Sequence, residues 1–332
     1  MTFAEAIAAA KACEPEKKPT VLLGNGFSRS YLDESFNYKS LWARARVSLT
    51  TEKTELERVM GSSDFEAIIR RLDRTAELVE LYDPASPLTG SIRKDSAGIR
   101  AALCTAIAEL HPDHARKLNT NQRTHVRTFL EHFEEIFTTN YDLLVYWATN
   151  DDDERKVVRD DGFRGSKENG YRWRKPDAQR VHYLHGAIHV FEQGDQLTKA
   201  FGPGNTHIMS DIRRRIEAEE FPLIVTEGAS RTKRERIAES RYLTHCFDRL
   251  GEASGALFTF GSSLDANDAH LFDQLTSPKS TVHSLYAGLR PDSSSSAALR
   301  DRAHGLAGER DRLGGAQLSV HFYDAGSAAV WS

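Results

Sequence analysis

Apolar and polar positions divide the chain into short β-branched runs separated by longer stretches of helical spacing. Pro19–Leu23 is apolar and ends in Gly24-Asn25-Gly26, the pattern of a buried strand running into a glycine turn. Glu135–Thr139, Val181–Leu184, Pro222–Val225, Ala256–Phe260, Thr281–Ala287 and Leu318–Tyr323 read as further strands, rich in Val, Ile, Thr and aromatic residues. Residues 3–14 are Ala-rich and predict a helix that stops before Pro15. Ser63 with Glu66 has capping-box spacing, and Phe65, Ile68, Ile69 and Leu72 follow on one helical face. Ile99, Leu103, Ile107 and Leu110 mark another helix, and residues 120–133 a third. Residues 29–133 are thus expected to form a mainly helical insertion, and the polar residues 149–180 a loop region. Strands alternating with helices predict an α/β, Rossmann-like parallel sheet. No composition shift marks a linker, so residues 1–332 are expected to form a single domain.

Composition narrows the function classes. The 332 residues carry a net charge of −4, with 39% hydrophobic and 28% charged residues. That is a globular composition without a broad basic field, so nucleic acid is not an expected partner. No apolar run approaches the roughly 20 residues of a membrane span, and the first residues lack the basic-then-apolar order of a secretory signal. Cys13, Cys104 and Cys246 are far apart, with no CxxC pair. This speaks against a disulfide scaffold and a four-cysteine zinc site, and for a reducing, cytoplasmic setting.

Four motifs follow predicted strands. Gly24-Asn25-Gly26-Phe27-Ser28 lets backbone approach a phosphate or ribose, or simply makes a tight strand-to-helix turn; Arg29 stands where a dinucleotide fingerprint has its third glycine. Thr138-Thr139-Asn140-Tyr141-Asp142 offers amide and carboxylate groups to a polar ligand, or an Asx cap to the next helix. His185, before Gly186, is a candidate general base or a structural histidine. Gly261-Ser262-Ser263 suits ribose or phosphate contacts, or caps a helix. In an open α/β sheet the ligand crevice lies at these strand ends, so Asn140 and His185 are expected at a solvent-facing crevice.

The order GNGFS, TTNYD, LHG and GSS resembles the sirtuin-like nucleotide-binding fold, whose deacylases carry GAGxS, TQNxD, a catalytic HG and GTS. It is more similar to bacterial sirtuin-like families with GNGF and TTNYD, several of which hydrolyse NAD in defence against phage. Two departures separate the chain from the deacylases: residues 186–260 hold only Cys246 where a four-cysteine zinc module would lie, and Asn25 and Phe27 replace small or aliphatic residues. The resemblance implies a sirtuin-type sheet without zinc module and an NAD glycohydrolase that releases nicotinamide and ADP-ribose, with NAD as substrate rather than prosthetic group. Asn140 would orient the attacking water and His185 would act as general base. Asp142 would hold the nicotinamide carboxamide. Gly24, Asn25, Gly26, Phe27, Ser28 and Thr139 would surround the pyrophosphate and nearby ribose, and Gly261, Ser262 and Ser263 the adenosine side. No residue is assigned to a metal; His182, His185 and His189 do not share one strand face.

Such an activity would harm its own cell if always on. Gating is therefore expected, through a homo-oligomer or a partner such as a ring ATPase. A second class of function is a module that senses NAD or ADP-ribose and regulates a partner. Asp161–Phe163 are a candidate lid, and Glu227 and Lys233 are expected as solvated surface.

Overall fold

In the computed structural model, residues 1–32, 42, 45, 47–61, 65–150, 160–166, 168–174, 178–202, 207–225, 230–290 and 295–332 are described. The capping pair at Ser63, and Glu227, lie outside them.

The predicted parallel sheet is present. It comprises β1 (Thr20–Leu23), β2 (Glu135–Thr138), β5 (Val181–Tyr183), β9 (Ser254–Phe260), β10 (Thr281–Leu289) and β11 (Ser319–Asp324), in the order β11-β10-β9-β1-β2-β5. All neighbours run parallel, with Leu22 opposite Phe137 on one side and Thr259 on the other. β1 and β2 are buried along their whole length, which is why they read as continuous apolar runs rather than alternating ones. The chain steps outward from β1 through β2 to β5, then returns to β9 and steps the other way. The reversal of strand order falls between β1 and β9.

Among the described residues the α-helices are α1 (Phe3–Cys13), α2 (Asn25–Tyr31), α3 (Lys53–Met60), α4 (Phe65–Tyr82), α5 (Pro87–Leu110), α6 (Thr120–Leu130), α7 (Leu144–Thr149), α8 (Ile208–Glu217), α9 (Ser230–Glu239), α10 (Arg241–Gly251), α11 (Ala269–Thr276) and α12 (Ser296–Arg312). Phe3 of α1 packs its ring against Phe129, Phe133, Phe258 and Tyr323, tying α1 and α6 to the sheet. Between α2 and β2 the described residues include α3 to α6 joined by short irregular segments, and α4 and α5 pack on each other.

The structure corrects the region after β2. Residues 149–180 are not a plain loop: β3 (Phe163–Ser166) and β4 (Gly170–Trp173) form an antiparallel hairpin. With β6 (Gly186–Gln193), β7 (Gln196–Lys199) and β8 (Pro222–Ile224) they make a second, five-stranded sheet, β3-β4-β7-β6-β8. Pro222–Val225 therefore adds to this antiparallel sheet and not to the parallel one. Asp161 and Phe163 are buried, and Asp161 pairs with Lys199 at 2.5 Å, so the segment is a fixed part of this sheet and not a lid. Among the described residues no helix is long and apolar enough to cross a membrane.

Candidate ligand site at the switch point

The site begins where β1 meets β9. Gly24 N–H donates to Phe260 O and Gly26 N–H to Gly261 O, both at 2.9 Å. The two strand ends lie backbone to backbone. A Cβ on Gly24 would meet Gly261 O at 2.6 Å, and one on Gly26 would meet Gly261 Cα at 2.5 Å. These glycines are thus required by the first motif's contact with the fourth, before any ligand is considered.

A cavity of about 950 Å³ opens at this junction, outside the carboxyl ends of β1, β9 and β10. Gly24, Asn25, Gly26, Thr139, Gly261, Ser262 and Ser263 line it, together with Arg29, Lys233, Arg290 and Asp268. Crevices of α/β sheets form where strand order reverses, because adjacent loops there diverge to opposite faces. The size and polar lining suit a nucleotide-sized ligand.

Phe27 and Ser28 do not line this cavity. Phe27 is fully buried, packs on Phe260 and Trp331, and accepts a hydrogen bond from Trp331 Nε1 at 2.9 Å. It belongs to the core and not to the cavity wall. Ser28 is also buried, and its hydroxyl donates to Asp142 Oδ2. Asp142 Oδ1 accepts from Leu144 N–H at 2.9 Å, which caps the turn into α7. Both carboxylate oxygens are thus engaged inside the protein.

Asn140 is 2% exposed. Its amide nitrogen donates to Gly24 O at 3.0 Å and to Ser28 Oγ at 2.9 Å. This spends both amide hydrogens, fixes the side-chain orientation and leaves Oδ1 as the acceptor. The first two motifs are joined at this one side chain.

His185 follows β5. Leu184 N–H donates to Thr138 O at 2.9 Å, and Val225 N–H to His185 O at 2.8 Å, so the residue is pinned between the two sheets. Gly186 makes the turn possible: its φ is +75°, and a Cβ would meet Leu223 O at 1.9 Å. His185 is 4% exposed, which corrects the expectation that it and Asn140 sit at a solvent-facing crevice. Both are buried floor residues of the strand ends, adjacent to the cavity wall.

The structure adds a group that the four motifs did not include. His185 Nε2 lies 3.3 Å from His270 Nε2 on α11 and 3.9 Å from Asp268 Oδ1. Lys233 is buried, not solvated, and donates to Asp268 Oδ1 at 2.6 Å. Burial lowers the pKa of His185 to about 3 and that of His270 to about 4, with Asp268 opposing both shifts. Burial also works against the charge of Asp268, but His185 and Lys233 outweigh it and hold the carboxyl below its usual range. The sequence signal for this group was the polar run Asp265-Ala266-Asn267-Asp268-Ala269-His270 just past the fourth motif, at the same strand end.

Fold and cavity define a Rossmann-like α/β protein with a ligand site at the switch point of its parallel sheet. The chain belongs to the family described as a domain of unknown function, DUF4917, whose family model matches residues 21–331. No curated protein matches it. Among solved structures, a Sir2 homologue mutant in complex with 2'-O-acetyl ADP ribose is similar at 13% identity, over 94% of this chain and 98% of that chain, with a TM-score of 0.36. The fold class stands on the strand order itself.

Proposed function

We propose that the chain is a sirtuin-type NAD hydrolase that cleaves the nicotinamide–ribose bond to give nicotinamide and ADP-ribose. The observation that carries this reading is the convergence of the four motifs. Asn140 is tied to both ends of the first motif, the first and fourth motifs together wall a nucleotide-sized cavity, and the third ends on the strand beside Asn140.

Nicotinamide leaves NAD as a neutral base, so no acid is needed to protonate it. The site must hold the ribose, stabilise an oxocarbenium-like sugar and place a water. In this reading Asn140 Oδ1 accepts a hydrogen from that water and aims its oxygen at the anomeric carbon. The water's oxygen bonds to that carbon as the carbon–nicotinamide bond breaks, and the proton lost goes to His185. Asp142 acts through Ser28, holding the hydroxyl that fixes Asn140. A direct contact of Asp142 with the carboxamide would require exchange of one of its present bonds.

His185 does not line the cavity, although Asp268, 3.9 Å away, does. That arrangement suits a gated site; in this reading assembly into a homo-oligomer or a partner such as a ring ATPase opens it, in a role such as anti-phage defence. The same burial favours the second reading, a module that binds NAD or ADP-ribose and signals to a partner without chemistry. Nicotinamide release from NAD, measured on the purified chain over a range of protein concentrations, separates the two. Release that rises with assembly upholds the hydrolase. NAD that binds and is recovered intact in every assembled state overturns it in favour of the sensor.

A further inference from the structure

His270 has no part in the reaction as described above, yet it touches the proposed base. Its ring stacks beside that of His185, with centroids 5.4 Å apart, and the two Nε2 atoms face each other at 3.3 Å. Two neutral imidazoles meeting in this way hold one hydrogen between them. Two hydrogens would collide, and none would set lone pair against lone pair.

Ser230 sets which ring donates according to whether its hydroxyl accepts from His270 Nδ1–H or donates to Nδ1. Its Oγ accepts the His270 backbone N–H at 2.7 Å and lies 3.2 Å from His270 Nδ1. A hydroxyl oxygen has two lone pairs, so it can accept from both nitrogens. With Nδ1 donating to Ser230, His270 Nε2 accepts from His185 Nε2–H; with Ser230 donating to Nδ1, the order reverses, and the first arrangement is the one that leaves His185 a base. In it His185 is left with a lone pair on Nδ1, the form a base requires. Among the described residues no hydrogen bond occupies that nitrogen.

We propose that His270 is a positioning residue that acts through His185, fixing its tautomer and accepting the hydrogen of His185 Nε2 when Nδ1 takes the proton from the attacking water. The step balances. Water loses one proton to His185 Nδ1, the Nε2 hydrogen passes to His270, and the positive charge rests on the pair beside Asp268. A lone imidazole buried here would hold a proton poorly, because burial disfavours its charged form. Sharing the proton with a second ring offsets that penalty.

His185, Asp268 and His270 also have the composition of a metal site. Lys233 argues against that use. Its ammonium already sits on Asp268 Oδ1, and a divalent cation would be forced against a fixed positive charge. The cluster suits a single shared proton.

The inference rests on the hydrolase reading. His270→Phe keeps ring size and removes the hydrogen bond. It should lower kcat for nicotinamide release by about 10²-fold, the scale of a positioned base, with KM changed less than about 2-fold. The acid limb of the rate profile should move to lower pH, since His185 alone is the weaker base. Asp268 raises the proton affinity of the pair, while Lys233 and Arg234 lower it, and all three remain in the variant. His270→Gln retains an acceptor that can orient His185 but cannot take its proton, and should recover part of kcat while the acid limb stays shifted to lower pH. Wild-type kcat and profile in both variants would overturn the proposal. A chain that releases no nicotinamide at all would instead overturn the hydrolase reading. Imidazole 15N spectra then read the pair directly: His185 should be the Nε2–H tautomer in the wild type and a mixture in His270→Phe, and an unchanged tautomer would end the inference.

Discussion

His182 and His185 stand three residues apart at one strand, and their surroundings differ in kind. His182 lies within β5, fully buried, stacked on Phe137 at 4.6 Å, with its Nε2 3.5 Å from Glu135 Oε1. Glu135 also pairs with Arg249 at 2.6 Å, so the group is a closed network of permanent charges packed under α10. His185 lies past the end of the same strand, where the two sheets part. It faces a second neutral imidazole, and the nearest carboxylate lines a cavity. Both rings resist protonation because both are buried. What separates them is whether a proton has a route in and a partner to share it. Residue type and burial alone do not distinguish a structural histidine from a reactive one.

The comparison breaks most sharply under substitution. His185→Ala should lower NAD turnover by at least about 10²-fold, whereas His182→Phe, which keeps the stack on Phe137, should leave turnover within about 3-fold of wild type. Equal losses in the two variants, tracking a common loss of melting temperature, would make His185 structural as well. Asn140→Ala should combine both kinds of damage. Turnover should fall about 10²-fold, because the water loses its acceptor. The melting temperature should fall by a few degrees, because Gly24 O and Ser28 Oγ lose a donor in a buried setting, at a cost of about 1–3 kcal/mol. Calorimetry beside the nicotinamide assay measures both effects.

Much of this contrast was legible in the sequence, and the remainder failed for identifiable reasons. The parallel strands announced themselves through short runs rich in β-branched and aromatic residues, most plainly in the fully buried β1, and through the polar or glycine motifs after β1, β2, β5 and β9. The second sheet escaped notice. Its strand Gly170–Trp173 is only four residues long and half-exposed, and Phe163–Ser166 contributes little apolar periodicity. The hairpin of β6 and β7 did carry a signal, Gly194-Asp195 between two β-rich runs, but the preceding His185-Gly186 drew the reading toward a strand end. Phe27 sat inside a ligand-binding motif and turned out to fill the core, since a seven-residue helix must bury one face wherever it starts. His270 was missed because it meets His185 from 85 residues away, a contact fixed by packing of α11 that no local spacing encodes.

Acid should reveal the buried histidines as a group. His111, His185 and His270 have their pKa lowered by burial to about 4, 3 and 4. Unfolded, each protonates near pH 6.5. Between that value and its folded pKa the unfolded chain binds the extra proton, so stability falls as pH falls, by about 1.4 kcal/mol per pH unit for each histidine. Melting temperature should therefore be level above pH 7 and drop steeply between pH 6 and 4. His189 and His182 are held low by burial as well, so His270→Gln should flatten that slope by about one quarter or less, and His182→Phe should change it less still, because Glu135 opposes the burial shift of His182. An acid slope unchanged in His270→Gln would mean that His270 is already charged in the folded chain, against the pairing with His185.

The smallest expected effect is that of a chelator. Cys104 and Cys246 are buried thiols pushed up to about 12 by desolvation, unsuited as they stand to bind zinc as thiolates. The one group of histidines and carboxylates among the described residues with metal-ligand spacing is His185, Asp268 and His270. The ammonium of Lys233 on Asp268 opposes a divalent ion there, whereas the Glu135 network offers a single histidine with two arginines around it. Neither end of β5 is arranged for a cation, so EDTA treatment should shift neither the melting temperature nor the rate of nicotinamide release. A loss of either that zinc restores would mean that Lys233 swings off Asp268 and yields its place to the metal, and Lys233→Met would then be expected to tighten zinc rather than to leave the site unaffected.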